Sequence, residues 1–563
     1  MRRKSSQIEA WLPRSVEALG GYSMSRFASD LVAGVTVGLV ALPLAMAFAI
    51  SSGLPPQSGI YTAIVAGFLI SLLGGSRVAI GGPTGAFVVV VSGIVLTHGV
   101  DGLFMCTLMA GVLLVVLGAT GMGTAVKFIP RPVVIGFTNG IAVLIASTQL
   151  KEFFGLPIER PSAVFLPRLV EIGHALAQLS ATTTTLGVAA LAVVLITPRV
   201  VRQVPGTILA LIAGTAAVAL LGLPVATIGT RFGGIPAGLP PLHLPHFRPD
   251  LIHALLAPAL TVAMLGAIES LLSATVADRM TGDRHNPNVE LIAQGIANIA
   301  SPLFGGLPAT GAIARTATNI RSGAKTPVAG MIHALTLLGV VLFAAPLAQW
   351  VPLAVLSAIL LVVAWNMGEW HEIPELLKLS RADVSVWALT FALTVFADLT
   401  IAVEAGMILA ALLFIRKIAA TTTVEEVTGT DIADARVHTL HDKDIPAEVA
   451  VYRVHGPLLF GTTDKVVAVT ERLESMPPVV ILKLRDMTAM DATGLEAIED
   501  LVERVQNSGR TLILCGARRQ PTMLMIRAGT PAHVGAANFC PNITSALARA
   551  RLLLAGVPRA AGA

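Results

Sequence analysis

A glutamate and a serine share one helical face in an otherwise apolar stretch of the chain. Glu269 lies in Met-Leu-Gly-Ala-Ile-Glu-Ser-Leu-Leu-Ser, residues 264–273, and Ser273 follows it by about one helical turn. An apolar environment disfavours the charged form of a carboxyl group, so Glu269 could bind and release a proton. Ionisable residues inside a membrane are costly and are therefore functional candidates. The alternative is a structural hydrogen bond that holds two helices together.

Two Gly- and Pro-rich segments resemble each other and could bind an anion. The first Gly-Pro segment, residues 81–86, reads Gly-Gly-Pro-Thr-Gly-Ala, and the second, residues 305–312, reads Gly-Gly-Leu-Pro-Ala-Thr-Gly-Ala. Proline interrupts a helix and glycine lets the backbone unwind, so we predict a short extended piece and then a half-helix at each. Helix N-termini carry roughly +0.5 of a charge and free N–H groups, which bind anions. The alternative is that these glycines only help helices to pack.

Arg315 follows the second Gly-Pro segment by one turn. With the two helix ends it would create a strongly positive pocket, in which Glu269 could offset one charge. The alternative is that the Arg315 side chain extends to the cytoplasmic membrane surface.

Long apolar segments must position these residues, since most of the chain is apolar. Of its 563 residues, 54% are apolar and only 13% are charged, and mean hydropathy is +0.77. This composition excludes a disordered chain and an ordinary soluble enzyme. A membrane span needs roughly 20 residues. We predict spans at about 30–50, 59–74, 85–98, 103–121, 132–149, 182–198, 206–224, 255–276, 289–302, 310–320, 326–346, 352–366, 382–399 and 402–416.

The two Gly-Pro segments open the third and the tenth span, and this odd offset predicts opposite topologies for two related halves. Paired, interrupted spans of this kind are typical of the binding site of a transporter. The short loops near 99–102, 347–351 and 399–401 contain no Lys or Arg. The positive-inside rule therefore predicts a multi-pass protein with cytoplasmic N- and C-termini.

Other classes of function find little support in the residues. The net charge of +5 is dispersed, so no nucleic-acid partner is expected. Cys106, Cys515 and Cys540 lack metal-ligand spacing, and we predict neither a metal nor a cofactor. The sequence lacks a hydrolase or metalloprotease motif and a Walker-type loop, so we predict that the protein is not an enzyme.

The chain resembles the SulP (sulfate permease) family of anion transporters over nearly its whole length. The resemblance rests on Leu-Pro-Leu-Ala-Met-Ala-Phe-Ala at 42–49, Gly-Leu-Pro-Pro-Gln-Ser-Gly-Ile-Tyr at 53–61, the two Gly-Pro segments, and Gln-Gly-Ile-Ala-Asn at 294–298. The charged tail, with strands at 447–455, 478–485 and 511–515 and a helix at 495–505, resembles a STAS domain.

The resemblance implies an α-helical polytopic membrane protein with 14 transmembrane segments in a 7+7 inverted repeat, divided into core and gate domains. A cytoplasmic α/β STAS domain follows, and a homodimer is expected. The domains would be a cytoplasmic N-terminal segment (1–27), a transmembrane transporter domain (28–418), a linker (419–446) and the STAS domain (447–563). Carried over by position, the substrate-binding residues are Leu44, Phe48, Thr84, Gly85, Ala86, Gly311, Ala312 and Arg315, and the proton-coupling residues are Glu269 and Ser273.

The substrate expected from this resemblance is a C4-dicarboxylate. Many sulfate-transporting members have Gln where this chain has Leu44, and bicarbonate members have Asp in place of Glu269 and a small residue in place of Arg315. The chain is most similar to the bacterial C4-dicarboxylate branch. We therefore predict proton-coupled symport of succinate or fumarate by an elevator-like movement in the bacterial inner membrane. Alternatives are a sodium- or proton-coupled bicarbonate or sulfate transporter, a passive anion channel, and a membrane sensor or scaffold that acts through its STAS domain.

Thr493 lies where soluble STAS relatives are phosphorylated, in Asp-Ala-Thr-Gly-Leu, residues 491–495. It is a possible regulatory phosphosite, and the tail could bind a cytoplasmic protein partner. The alternative is that this segment is an ordinary helix N-cap.

Overall fold

The chain folds into two compact units with a boundary between Ile408 and Leu409, about ten residues before the predicted end of the membrane domain. The computed structural model describes residues 11–124, 130–159, 161–162, 164–200, 205–242, 246, 248–397, 399–427, 445–470 and 476–556.

The first unit is helical. Its helices, in chain order, are α1 (Arg14–Leu19), α2 (Met24–Ser51), α3 (Pro56–Leu73), α4 (Gly85–Ala119), α5 (Arg131–Phe154), α6 (Phe165–Ala175), α7 (Ala181–Val200), α8 (Gly206–Leu221), α9 (Ile228–Phe232), α10 (Ile252–Thr281), α11 (Pro287–Leu303), α12 (Ile313–Arg321), α13 (Val328–Ala348), α14 (Leu353–Met367), α15 (Glu372–Leu376), α16 (Arg381–Phe396) and α17 (Leu399–Thr421), the last of which crosses the boundary. Eight helices among the described residues are long and apolar enough to cross a membrane. The chain is therefore a multi-pass membrane protein.

The helix boundaries differ from the predicted spans at two informative places. The predicted spans 85–98 and 103–121 join in α4, which is interrupted at Gly99, where φ is +73°. Glycine adopts this left-handed backbone conformation without the steric cost that a Cβ would impose. Helix α2 begins at Met24 rather than near residue 30, because Ser23 caps it by accepting a hydrogen bond from the Arg26 N–H.

A two-stranded ribbon joins the two Gly-Pro segments of the first unit. Strand β1 (Gly81–Gly82) pairs with β2 (Thr310–Gly311) in antiparallel register, with Gly81 opposite Gly311 and Gly82 opposite Thr310. Each strand is followed within three residues by a helix, α4 or α12. The predicted arrangement of a short extended piece and a half-helix is therefore present at both Gly-Pro segments.

Small residues allow α4 and α11 to pack backbone to backbone. A Cβ built on Gly111 of α4 would lie 2.8 Å from the Gly295 carbonyl oxygen, and one on Gly295 would lie 2.6 Å from the Gly111 carbonyl oxygen. Such close packing of small residues is a common source of helix association in membranes.

The second unit contains a sheet in the order β3 (Thr423–Glu426), β4 (Val449–Leu458), β5 (Val479–Lys483), β7 (Thr511–Cys515) and β8 (Phe539–Cys540), while β6 (Met487–Met490) pairs with β4. Strand β3 is antiparallel to β4, and the other neighbouring pairs are parallel. Its helices are α18 (Asp464–Thr470), α19 (Ala492–Asn507), α20 (Arg519–Ala528), α21 (Thr530–Val534) and α22 (Ile543–Ala555). Strand β3 lies inside the segment 419–446 that the sequence predicts to be a linker. Part of that segment is therefore an edge strand of the domain.

Candidate functional site

The two half-helices begin without a side-chain cap, so their first turns can accept a ligand. Neither Thr84 before α4 nor Ala312 before α12 caps its helix through a side chain. In α12 the first helical bond runs from the Thr316 N–H to the Ala312 carbonyl, 2.8 Å away. The N–H groups of a first turn have no partner within their own helix. Both helix ends therefore provide the kind of donor that binds an anion.

Glu269 on α10 is tied to the start of α4. The Thr84 hydroxyl donates a hydrogen bond to Glu269 Oε2 over 3.0 Å. The Glu269 side chain is only half-buried within the unit. The carboxyl group can therefore contact a ligand at the helix end while Thr84 holds it in place.

Arg315 extends from α12 to the beginning of α4. Its Nη2 donates to the Pro83 carbonyl, and the side chain is buried, with 3% exposure. A Cβ on Gly82 would lie 2.7 Å from Arg315 Nη1, so only glycine leaves room for the guanidinium there. This buried position beside β1 does not fit the alternative in which Arg315 extends to the cytoplasmic surface.

Ser273 contacts α12 rather than Glu269. Its hydroxyl shares a hydrogen bond of 2.9 Å with the Thr316 hydroxyl, which also accepts from the Ile80 N–H over 2.9 Å. Ser273 therefore holds α10, α12 and the backbone before β1 together, and its predicted part in proton coupling would have to be indirect.

Gly311 and Ala312 use their N–H groups inside the protein. The Gly311 N–H donates to Ser270 Oγ over 3.1 Å, and the Ala312 N–H donates to the Ile80 carbonyl over 2.8 Å. Their predicted contact with a substrate therefore cannot use these N–H groups while the ribbon is intact. The N–H groups of α12 that could donate to an anion therefore begin at Ile313.

An apolar wall lies beside α4. Leu44 and Phe48 on α2 are buried in one apolar cluster with Ala86. A Cβ on Gly85 would lie 3.3 Å from the Phe48 ring and 3.1 Å from Ile145 Cδ1. The start of α4 is thus enclosed by apolar side chains from α2 and α5.

Polar side chains brace the ribbon, and of these sequence reasoning missed Thr310 and Ser270. Thr310 donates to the Gly266 carbonyl over 2.9 Å and shares a bond of 2.8 Å with Ser270. Asn298 both accepts from the Ala309 N–H and donates to the Ala309 carbonyl, each over 2.8 Å. The position of Ser270 directly after Glu269 was the available signal, because a second polar residue in an apolar span requires a partner.

Thr493 is exposed in the first turn of α19. The helix is capped by Asp491, whose carboxylate accepts from the Gly494 N–H over 2.8 Å and from the Phe460 N–H over 3.0 Å. The N-cap role thus belongs to Asp491, and the Thr493 hydroxyl remains accessible. Among the described residues there is no group of His, Cys, Asp and Glu that could hold a metal ion.

The sequence matches two known families. The sulfate permease family matches residues 27–390, and the STAS domain matches residues 441–546. The chain is 42% identical over 522 residues to "Putative sulfate transporter YvdB" of Bacillus subtilis, covering 92% of this chain and 97% of that protein. It is 30% identical over 505 residues to the bicarbonate transporter BicA of Picosynechococcus, covering 87% of this chain and 89% of that protein.

The fold matches that of murine Solute Carrier 26 family member A9, an anion transporter. The TM-score is 0.86 at 19% identity, and the match covers 98% of this chain and 96% of that chain. This likeness confirms the predicted helical membrane fold with a C-terminal STAS domain. The named relatives are transporters, in agreement with the prediction that the chain is not an enzyme. From these matches and the ribbon-centred fold, we conclude that the chain is a member of the sulfate permease family.

Proposed function

We propose that the protein is a secondary active transporter whose anion binds between the first turns of α4 and α12. The observation that carries this proposal is the ribbon of β1 and β2, from which both uncapped half-helices start. Arg315 beside the ribbon adds a full positive charge to the two partial charges of the helix ends. The sulfate and bicarbonate transporters among the relatives support the anionic class of the substrate.

The substrate we propose is a C4-dicarboxylate such as fumarate or succinate. Such an anion carries about two negative charges at neutral pH, comparable to the field of Arg315 and two helix ends. Its apolar carbon chain suits the wall formed by Leu44 and Phe48.

The coupling ion we propose is a proton. The longer side chain of Glu269 can carry a proton without the ring of oxygen ligands that a sodium site requires. Glu269 is held by Thr84 at the same helix end where the anion binds, so one movement could carry both. We propose that a core domain moves proton and anion together across the membrane in an elevator-like step.

A second candidate is bicarbonate or sulfate transport by the same site. It is favoured by the relatives, since YvdB is named as a putative sulfate transporter and BicA as a bicarbonate transporter. A small anion would use the two helix ends and Arg315 but would have no need of the apolar wall.

Uptake of labelled fumarate into proteoliposomes, with and without an inward proton gradient, tests the proposal. Bicarbonate and sulfate are added as competitors and then as labelled substrates. We expect saturable fumarate uptake that the gradient stimulates. Flux that neither saturates nor responds to the proton gradient would identify a channel. Saturable uptake of bicarbonate or sulfate without fumarate uptake would show that one of these anions, not a C4-dicarboxylate, is the substrate.

The remaining parts of the proposal concern placement and assembly. We propose a bacterial inner-membrane protein with cytoplasmic termini that acts as a homodimer, with the predicted domain limits except that strand β3 belongs to the STAS domain. We also propose that Thr493 is a regulatory phosphosite and that the STAS domain binds a cytoplasmic protein. Equal transport by T493A, T493E and the unmodified protein in cells would contradict the regulatory role.

A further inference from the structure

A buried histidine lies behind the ribbon without a hydrogen-bond partner. His333 on α13 is fully buried, with 0% exposure, and neither Nδ1 nor Nε2 has a hydrogen-bond partner in the described part of the chain. Burying a polar group without a partner costs free energy, because the group loses its hydrogen bonds to water. Such a group in a core requires an explanation.

The ring of His333 packs against α3 beside β1. A Cβ on Gly67 of α3 would lie 3.7 Å from His333 Cε1, 3.8 Å from its Nδ1 and 3.1 Å from the Gly81 carbonyl oxygen. One glycine of α3 therefore separates the ring from the first residue of the ribbon. A larger residue than glycine at position 67 would meet both the ring and the backbone of β1.

Arg315 occupies the next position along the same ribbon. A Cβ on Gly82 would lie 2.7 Å from Arg315 Nη1 and 3.6 Å from Ala63 Cα. Ala63 and Gly67 are one turn apart on α3, so the guanidinium and the imidazole lie along one face of α3.

Arg315 also has an unused donor. Its Nη2 donates to the Pro83 carbonyl, whereas its Nη1 has no hydrogen-bond partner in the part of the chain that the structure describes. Two buried groups, one a donor and the other able to accept, thus lie along the same strand with no partner. An anion that replaces the Pro83 carbonyl as the acceptor of the Nη2 hydrogen bond would make the guanidinium rotate. This rotation would redirect Nη1.

We propose that His333 is a positioning residue for Arg315. The neutral imidazole accepts a hydrogen bond from Arg315 Nη1 when an anion draws Nη2 away from the Pro83 carbonyl. The ring then fixes the plane of the guanidinium, so that Nη2 points to the anion. This inference rests on the proposed role of Arg315 in anion binding, and it adds a residue that does not touch the anion itself.

The test compares three variants of the full chain in proteoliposomes. H333L and H333F remove the acceptor, and H333F keeps the volume of a ring, whereas H333Q keeps an acceptor oxygen. A hydrogen bond to a charged group contributes roughly a tenfold change in affinity or more. We expect H333L and H333F to raise KM roughly tenfold with kcat within about twofold of the unmodified protein, and H333Q to restore KM to within about threefold.

The matched control is T336V, one turn along α13, because the Thr336 hydroxyl donates to the Ile332 carbonyl of its own helix over 2.8 Å. We expect its KM to be unchanged. An unchanged KM in H333L and H333F, or a lower kcat at constant KM, would overturn the positioning role. An H333Q variant as impaired as H333F would also overturn it. Equal impairment would show that the acceptor oxygen of Gln has no effect and that the role of His333 is purely steric.

The measurement is made with whichever of fumarate, bicarbonate and sulfate the unmodified protein carries, and R315Q is measured in parallel. If R315Q keeps the KM of the unmodified protein, the proposed anion site itself is wrong. If R315Q raises KM and H333F does not, only the role of His333 is wrong.

Discussion

The hydroxyl group of Thr84 donates a hydrogen bond over 3.0 Å to Glu269, although Thr84 occupies the N-cap position of α4. A threonine at this position ordinarily caps its own helix. Here the hydroxyl binds the Glu269 carboxyl group of α10 instead. In the first turn of α4 the Phe87 N–H donates to the Thr84 carbonyl over 3.3 Å, which leaves the Gly85 and Ala86 N–H groups for a ligand. One residue thus links the proposed proton carrier to the proposed anion site.

Replacing Glu269 with Gln should abolish proton coupling while leaving the fold intact. The amide of E269Q cannot carry a proton, yet it can still accept from Thr84. We expect fumarate uptake that no longer responds to an inward proton gradient. E404Q on α17, whose side chain is exposed, serves as the control and should keep the response. Stimulation of E269Q by the gradient at every pH tested would show that another group carries the proton.

Replacing Arg315 with Gln should weaken anion binding. The variant loses a charge next to two helix ends, and charge-assisted hydrogen bonds are roughly twice as strong as neutral ones. We expect KM to rise roughly tenfold or more. R321Q, at the exposed end of the same helix, controls for general charge effects and should have the KM of the unmodified protein. Equal KM values for the two variants would exclude Arg315 from the site.

Replacing Gly311 with Ala should destabilise the ribbon. The added Cβ would lie 2.9 Å from Ser270 Cα and 3.1 Å from Ser273 Cβ, so α10 would have to move. Overpacking of this kind costs about 1–3 kcal/mol. We expect a lower thermal unfolding midpoint in detergent together with lower uptake. G339A, whose Cβ would meet nothing within 4 Å on α13, should not lower the midpoint.

Replacing Asp491 with Ala should destabilise the STAS domain by about 1 kcal/mol, the usual effect of losing an N-cap. The carboxylate also accepts from Phe460, so the loop after β4 should loosen as well. The unfolding transition of the domain in urea, followed by circular dichroism, measures this change. T493A, two residues away and exposed, should leave the midpoint unchanged; an equal loss in T493A would show that Thr493 supplies the capping.

The thiol groups of the STAS domain should resist labelling until the domain unfolds. Burial, together with the neighbouring Cys540, raises the pKa of Cys515 to about 12, and burial also raises the pKa of Cys540. The reactive species is the thiolate, which is scarce at pH 8 when the pKa is raised. We expect maleimide to label neither residue at pH 8 within the time that labels an A492C variant at the exposed start of α19. Rapid labelling of the native domain would contradict the burial of these strands.

The sequence predicts what depends on local pattern and misses what depends on distant contacts. Proline and glycine in the two Gly-Pro segments determine the local backbone, and both extended pieces were predicted correctly. Glu269 and Arg315 stand out because charges are rare in apolar spans. His333 does not, because its significance lies in packing against Gly67, more than 260 residues away. The edge strand β3 was missed because it is defined by its pairing with β4, which lies more than twenty residues later in the chain. Local sequence periodicity does not reveal such a pairing.

The pairing of β1 with β2 has a consequence for the synthesis and membrane insertion of the protein. The two strands are separated by more than 220 residues, yet each supplies the other's backbone hydrogen bonds. Unpaired backbone is costly in the hydrocarbon of a bilayer. During synthesis, the unpaired backbone groups of β1 must therefore contact water, lipid headgroups or an insertion factor until Thr310 has left the ribosome. Biogenesis cannot complete the first half of the protein before the second has been made.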